Sequence, residues 1–368
     1  MKIAVLSSHT PSLFWFRLDM MQSFIDKGHT VYAIGNESEN EWSSKFAEKG
    51  ITYRQIDVQR NGTNPLKDIK SVSSIRSVLG QIMPDKIFTY QAKTIIYGTI
   101  AANKLGITEV YPLIAGLGSL FLNDGLKTKV IRKILLAEYK YSMRKCPSVF
   151  FQNNDDLSTF KEFSVINKQN VTLLHGSGVN LEKFTVQPTP EQFAFLCISR
   201  LIKDKGVYEY LKACEIIKKS NPDVRCFPVG QFDSNPTSLQ PDELKRFTDS
   251  GAVEYFGEQA DVLPYIAQSS VYVLPSYREG TPKTVLEAMA CQRAIITTDV
   301  TGCRETVDEG VNGLLVPAKD VDSLVEAMQF MIDYPDEVIR MAENGREKAE
   351  ILFDVNIINA AICNTMQL

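Results

Sequence analysis

Short apolar runs alternate along almost the whole chain with longer segments of helical period, and this pattern fits one class of architecture, parallel sheets covered by helices. The first series of expected strands is Ile3 to Ser8, Thr30 to Ile34, Ile87 to Thr89, Val110 to Leu113, Val149 to Phe151 and Val171 to Leu174, with a helix over Phe14 to Lys27. A second series begins at Phe193 to Ile198 and continues through Val224 to Val229, Val253 to Phe256, Val271 to Leu274, Ala294 to Thr297 and Leu314 to Val316. The expected fold class is therefore α/β, with two doubly wound domains that present ligands to the carboxyl ends of their strands.

The polar, proline-containing stretch Val186-Gln187-Pro188-Thr189-Pro190 separates the two series and reads as the linker, dividing residues 1–185 from 186–350. At 368 residues the chain has room for two such domains, and 44% apolar with 23% charged content is ordinary for a globular protein. Its seven cysteines form no C-x-x-C pair and no metal-ligand spacing with the three histidines, so reduced core thiols and a cytoplasmic setting are expected. No n-region and h-region of a signal peptide can be read at the first strand, so none is expected, and the longest nearly uncharged stretch, 110–123, is broken by Pro112, Gly116 and Gly118 and is too short to span a membrane.

The richest segment is Glu279-Gly280-Thr281-Pro282-Lys283-Thr284-Val285-Leu286-Glu287-Ala288-Met289-Ala290. It follows an apolar strand; Gly280 supplies a turn, Thr281 suits a helix N-cap and Pro282 the first helical position, where its missing N–H costs nothing. The helix start then directs unpaired N–H groups and a positive dipole end at whatever lies beyond Gly280, a setting for phosphate. Glu279 and Glu287 flank that position, and carboxylates beside an anion site are suited to hydroxyls. Phosphate with hydroxyls points to a sugar nucleotide.

The spacing Glu-x7-Glu within E-G-T-P…E-A-M-A resembles the signature of the family-4 retaining glycosyltransferases of the GT-B fold, in which both domains are Rossmann-like. Further segments carry the likeness: Ser199 to Gly206, Gly176-Ser177-Gly178-Val179-Asn180 with Phe184, which resembles the family's interdomain junction, Thr298 to Glu305 and Gly310 to Val316. Among subfamilies, S-Y-R-E-G-T-P-K-T-V-L-E-A-M-A with G-C-R-E-T-V is most similar to enzymes that add N-acetylgalactosamine or a related sugar to polyprenyl-diphosphate-linked glycans. The resemblance implies that Arg200 and Lys205 neutralise the donor diphosphate, that Gly280, Thr281 and Pro282 border its phosphates and sugar, that Glu287 takes the ribose hydroxyls, and that Glu279 lies near the donor sugar. It implies that residues 351–368 form a terminal helix returning to the first domain, and that the domains close about the segments near Val179 to Pro190.

In the first domain the chain departs from its relatives. Many carry Gly-Gly after the first strand, where this chain has Ser7-Ser8-His9-Thr10-Pro11-Ser12, and a loop histidine elsewhere is replaced by Ala115-Gly116-Leu117-Gly118-Ser119. His9 is either an acceptor or donor contact or a loop histidine without chemistry, and Arg17 could meet an acceptor diphosphate. An Asp-x-Asp pair occurs at Asp320-Val321-Asp322, where acidic residues suit a helix start, so no metal and no cofactor beyond the UDP-sugar co-substrate are expected.

Charge is unevenly spread: residues 1–185 hold 23 Lys and Arg against 16 Asp and Glu, and the remainder 17 against 28. The first domain therefore favours an anionic partner. Within a helix expected over Gly125 to Cys146, Lys129, Arg132, Lys133, Lys140 and Arg144 share an arc of roughly 120°, opposite Val130, Ile131, Ile134, Leu135 and Tyr141. This is either a solvated face of a core-facing helix or a surface for an anionic membrane, and the family resemblance favours the membrane. Nucleic acid is not an expected partner.

The expected activity is retaining transfer from a UDP-sugar to a polyprenyl-diphosphate-linked saccharide at the inner face of a plasma membrane, in assembly of a bacterial surface glycan. A UDP-sugar 2-epimerase of the same fold, a transferase using a soluble acceptor, and a non-catalytic assembly protein are the alternatives; the intact Arg200, Lys205, Glu279 and Glu287 weigh against the last.

Overall fold

A computed structural model describes residues 1–58, 65–121, 125–166, 169–233, 235 and 237–368. The chain forms two compact units, Met1–Ser177 together with Val355–Leu368, and Gly178–Asp354.

In chain order the first unit contains β1 (Lys2–Leu6), α1 (Thr10–Asp26), β2 (Thr30–Gly35), α2 (Glu39–Ala47), β3 (Thr52–Gln55), α3 (Pro65–Ile82), β4 (Lys86–Tyr90), α4 (Ala92–Lys104), β5 (Val110–Ile114), α5 (Leu126–Met143), β6 (Ser148–Phe151), α6 (Asn154–Glu162) and β7 (Asn170–Leu173). Its sheet runs in the order β3-β2-β1-β4-β5-β6-β7, with every neighbouring pair parallel. Alternate residues of β1 serve opposite faces: Ile3 and Val5 enter one core with Met20, Phe24 and Phe46, while Ala4 and Leu6 enter another with Ile95, Leu136 and Phe160. Both faces being buried explains why the strand is apolar without alternation.

The second unit contains β8 (Ala194–Ile198), α7 (Val207–Ser220), β9 (Arg225–Val229), α8 (Pro241–Asp249), α9 (Leu263–Ala267), β10 (Val271–Leu274), α10 (Lys283–Ala290), β11 (Ala294–Thr298), β12 (Gly313–Val316), α11 (Val321–Asp333) and α12 (Pro335–Lys348). The order β12-β11-β10-β8-β9 is again wholly parallel. Val271 and Val273 of β10 face one core, and Tyr272 and Leu274 the other.

Several expectations are corrected. Helix α1 starts at Thr10 rather than Phe14, because Pro11 occupies its first turn and the Thr10 N–H is held by Glu37 at 2.6 Å. Strand β3 and helices α2 and α3 fall where no element was read. Residues 253–256 are not a strand of the sheet; they run beside β9, with Glu254 and Phe256 donating to Cys226 and Pro228 carbonyls at 2.9 and 3.3 Å.

The chain passes between the units after Ser177, upstream of the 185/186 boundary, because Val179 and Phe184 are buried in a core of the second unit. The stretch 186–190 is not the linker. Arg293 binds it into the second unit, donating to the Gln187 and Pro188 carbonyls at 3.1 and 2.8 Å. The terminal helix starts later than residue 351: a π-helical turn over Ala349–Phe353 ends α12, Asp354 is extended, and α13 (Val355–Met366) follows. Ile358, Ile362 and Met366 of α13 pack with Met20, Met21 and Phe24 of α1 in the first unit.

Each sheet reverses its winding once, between β1 and β4 in the first unit and between β8 and β10 in the second. In doubly wound sheets the carboxyl ends of the strands at such a reversal are where ligands bind.

Candidate active site

The second unit's reversal point carries the motif residues. After β8 the chain passes through Arg200 into a 3-10 turn, Lys203–Lys205, and Gly206 takes a left-handed conformation with φ +67° before α7. A Cβ on Gly206 would collide with the Pro275 carbonyl, so glycine lets the loop after β8 press against the loop after β10. Two contacts with Tyr277 hold the loops together: its N–H donates to the Asp204 carbonyl at 2.9 Å, and its hydroxyl donates to Glu209 at 2.6 Å.

That approach brings the Lys205 ammonium directly onto the Glu279 carboxylate. Ser276 Oγ donates to the same carboxylate oxygen at 2.7 Å, and the Glu279 N–H donates to the Thr301 carbonyl at 3.0 Å. The neighbouring Gly302, at φ +86°, has no room for a Cβ against the Glu279 and Gly280 carbonyls. The loops after β8, β10 and β11 thus converge on one carboxylate. Arg200 forms its own ion pair, with Asp233 at 2.6 Å, and keeps 40% of its side chain exposed.

Helix α10 starts one residue later than the sequence implies. Pro282 is its N-cap, with extended backbone (φ −72°, ψ 110°) and its carbonyl accepting from Val285 N–H at 3.1 Å, so Thr281 lies outside the helix with Gly280. The cap offers no side-chain hydrogen bond to the first turn. Glu287, further along α10, is only 7% exposed, with Lys283 Nζ at 3.9 Å. Burial pushes its carboxyl up to about 7, against the pull of Lys283 and then Lys183 and with a smaller push from Asp261.

Chemically, Arg200 and Lys205 can neutralise a diphosphate and the charge that grows on it as a glycosidic phosphate bond breaks. Carboxylates hold both cations, Asp233 on Arg200 and Glu279 on Lys205.

In the first unit His9 is the extended N-cap of α1 and meets Trp15 edge-on at 6.2 Å between ring centroids. Arg17 lies on α1 and is buried. Sequence reasoning missed Gln91, which follows β4 with φ +70°; its Oε1 accepts from Ser7 Oγ at 2.9 Å and from Ser8 N and Oγ at 3.0 and 2.7 Å. A lone glutamine after a strand gives no signal, and only the pairing of β1 with β4 brings it to the serine loop.

On α5, Lys129 and Lys133 are exposed, but Arg132 turns inward, donating to the Leu120 carbonyl at 3.1 Å and lying 5.0 Å from the Phe121 ring centroid. Only part of the apolar side faces the core: Leu135 packs against it, but Val130, Ile134 and Tyr141 are more than half exposed, and Leu136, Tyr139 and Met143 form the buried face. Asp320 caps α11, accepting from Ser323 N–H at 3.0 Å. All seven cysteines are buried and unpaired. Among the described residues no helix is long and apolar enough to cross a membrane.

The fold is that of the GT-B glycosyltransferases. A sucrose-phosphate synthase from Thermosynechococcus elongatus superposes with a TM-score of 0.79 at 18% identity, covering 100% of this chain and 98% of that one. The Anabaena HepE protein crystallised with UDP and glucose gives 0.81 at 18% identity, covering 100% and 99%. Residues 2–153 match the family described as "Glycosyl transferase 4-like" and residues 192–333 the family "Glycosyl transferases group 1". The chain belongs to these family-4-like, group 1 glycosyltransferases, and it is a glycosyltransferase. It is 27% identical, over 97% of its length and 96% of the relative's, to the Campylobacter jejuni N,N'-diacetylbacillosaminyl-diphospho-undecaprenol alpha-1,3-N-acetylgalactosaminyltransferase. It is also 27% identical to the Escherichia coli UDP-Gal:alpha-D-GlcNAc-diphosphoundecaprenol alpha-1,3-galactosyltransferase, over 77% of this chain and 75% of that one.

Proposed function

We propose that this glycosyltransferase moves an N-acetylhexosamine, with N-acetylgalactosamine as the best candidate, from UDP to a saccharide carried on a polyprenyl diphosphate during assembly of a bacterial surface glycan. The observation that carries this reading is the likeness, over almost the full length of both chains, to the Campylobacter enzyme whose acceptor is a diphospho-undecaprenol saccharide. The UDP and glucose bound to the Anabaena relative support the choice of UDP.

In this reading Arg200 and Lys205 hold the donor diphosphate, with Gly280, Thr281 and the Pro282 end of α10 beside its phosphates and sugar, and Glu287 takes the ribose hydroxyls. The bond from the anomeric carbon to the UDP oxygen breaks as the two cations take up the negative charge. The acceptor hydroxyl attacks from the same face, its oxygen bonds to the anomeric carbon, and its proton passes to a donor phosphate oxygen, so configuration is retained. The reaction proceeds without a metal ion, since the cations and the helix end supply the positive charge a divalent ion would bring.

The acceptor lies at a membrane, and α5 is the surface that would meet it. Leu126, Val130 and Ile134 are exposed beside Lys127, Lys129, Lys133 and Lys140 on the same helix, an apolar and basic combination suited to an anionic bilayer. The protein would therefore work from the cytoplasm at the inner face of the plasma membrane.

The test is UDP release over a panel of UDP-sugars, with and without a polyprenyl-diphosphate-linked monosaccharide, in chelator. Release that needs both the lipid acceptor and a UDP-N-acetylhexosamine supports the proposal. Release without acceptor together with epimerised donor points to the 2-epimerase, and equal turnover on a soluble acceptor removes the lipid from the reading.

A further inference from the structure

The first unit buries a cation that the donor chemistry does not use. Arg17 is 3% exposed on α1, and its Nε is buried without a hydrogen-bond partner. Its guanidinium lies 4.9 Å from the Tyr90 ring centroid and 5.8 Å from that of Phe88, both on β4. No carboxylate forms an ion pair with it among the described residues. Burial draws its pKa down to about 10, with Tyr90 opposing, so it remains a cation at neutral pH.

Contact with two aromatic faces offsets only part of the cost of stripping water from a charge. The position is also specific. Tyr90 is the last residue of β4, beside β1 at the reversal of the first sheet, and its hydroxyl pairs with Ser12 Oγ at 2.7 Å. Ser12 Oγ is 3.1 Å from Ser7 Oγ, and Ser7 and Ser8 bind Gln91. A guanidinium without a counter-ion therefore stands beside a hydroxyl and amide network at the strand ends where doubly wound sheets take ligands. Its fork of N–H donors matches a phosphate group.

We infer that Arg17 receives a phosphate of the acceptor's diphosphate, so that the first unit recognises the lipid carrier by its charge. This rests on the lipid-diphosphate acceptor proposed above. The donor diphosphate has its own cations, Arg200 and Lys205, in the second unit.

Binding, measured apart from turnover, tests it. Calorimetry with a short-chain polyprenyl diphosphate, the corresponding polyprenol, inorganic pyrophosphate and UDP would be run on the wild type, Arg17→Met and Arg17→Lys. Arg17→Met is expected to weaken the lipid diphosphate about 10- to 100-fold, leave polyprenol, UDP and the pyrophosphate taken by Arg200 and Lys205 unchanged, and melt no lower than the wild type because an uncompensated charge is gone. Unchanged lipid-diphosphate affinity, or an equal loss of UDP affinity, overturns the inference. Should Arg17→Met fail to fold, Arg17→Lys decides: a loss confined to the lipid diphosphate supports it, and a loss that extends equally to UDP, or no loss at all, overturns it. Wild-type transfer with Arg17-independent diphosphate binding would sink the inference alone, while Arg17-dependent binding without any transfer would sink the proposed reaction alone.

Discussion

Lys205 and Glu279, 74 residues apart in sequence, form a direct ion pair that joins the loop after β8 to the loop after β10. Their side chains are 21% and 13% exposed, so water screens the pair only in part. Lys205→Ala is expected to lower turnover by about 100-fold or more, since a cation facing the leaving diphosphate acts on the transition state. The stability loss should be about 1–3 kcal/mol, read as a fall in Tm of a few degrees. A variant that keeps turnover but melts early would leave the pair a purely structural role.

In the proposed reading Asp233 competes with the donor for Arg200. Asp233→Asn removes the charge that neutralises the guanidinium and should tighten UDP binding severalfold in calorimetry, with the gain shrinking as salt is raised. Weaker UDP binding in this variant would mean that Asp233 positions Arg200 instead of masking it.

Glu287 gives the site a pH dependence. Its folded-state pKa of about 7 lies above its ordinary value of 4.5, so its contribution to stability is complete below pH 4.5 and is lost as the pH rises through 7. Donor binding should show the opposite trend, because ribose hydroxyls donate best to the ionised carboxylate. KM for the donor is expected to fall between pH 6 and 8, and Glu287→Gln should flatten that profile while raising the neutral-pH KM about tenfold. A profile unchanged by the substitution would assign the titration to another group.

Gly302→Ala tests how closely β11 supports the site. With φ at +86° and the Glu279 and Gly280 carbonyls against the missing Cβ, the added methyl must displace the Glu279 loop. A loss of about 1–3 kcal/mol with a larger fall in kcat than in donor affinity is expected. Wild-type kinetics would show that the loop tolerates the shift.

Docking through α5 is tested by vesicle co-sedimentation. Val130→Asp with Ile134→Asp should abolish binding to anionic vesicles while leaving Tm nearly unchanged, because both side chains are more than half exposed. A large drop in Tm would show instead that these residues support the fold.

Much of the fold was legible because it rests on local rules. The strands β8, β9 and β10 and the helix after Pro282 were visible as apolar runs and a helix-start pattern, and the roles implied by Arg200, Lys205, Glu279 and Glu287 came from one motif and its neighbours. Strand β3 was not legible, since Thr52-Tyr53-Arg54-Gln55 has one buried side chain and reads as a polar segment. The reverse error arose at 253–256, where an apolar run is explained by packing beside β9 rather than by a place in the sheet.

The sequence by itself determined the periodicities, the turn glycines and the chemistry of the motif, all properties of residues close together in the chain. Tertiary structure decided which of those residues meet. Lys205 reaches Glu279 because β8 and β10 are neighbours, Gln91 meets Ser7 because β4 pairs with β1, and Val130 and Ile134 are exposed because the core takes Leu136, Tyr139 and Met143 of α5 instead. Arg17 shows the same division: its charge is written in the sequence, but its burial against Phe88 and Tyr90 without a counter-ion follows only from the packing of α1 on the sheet.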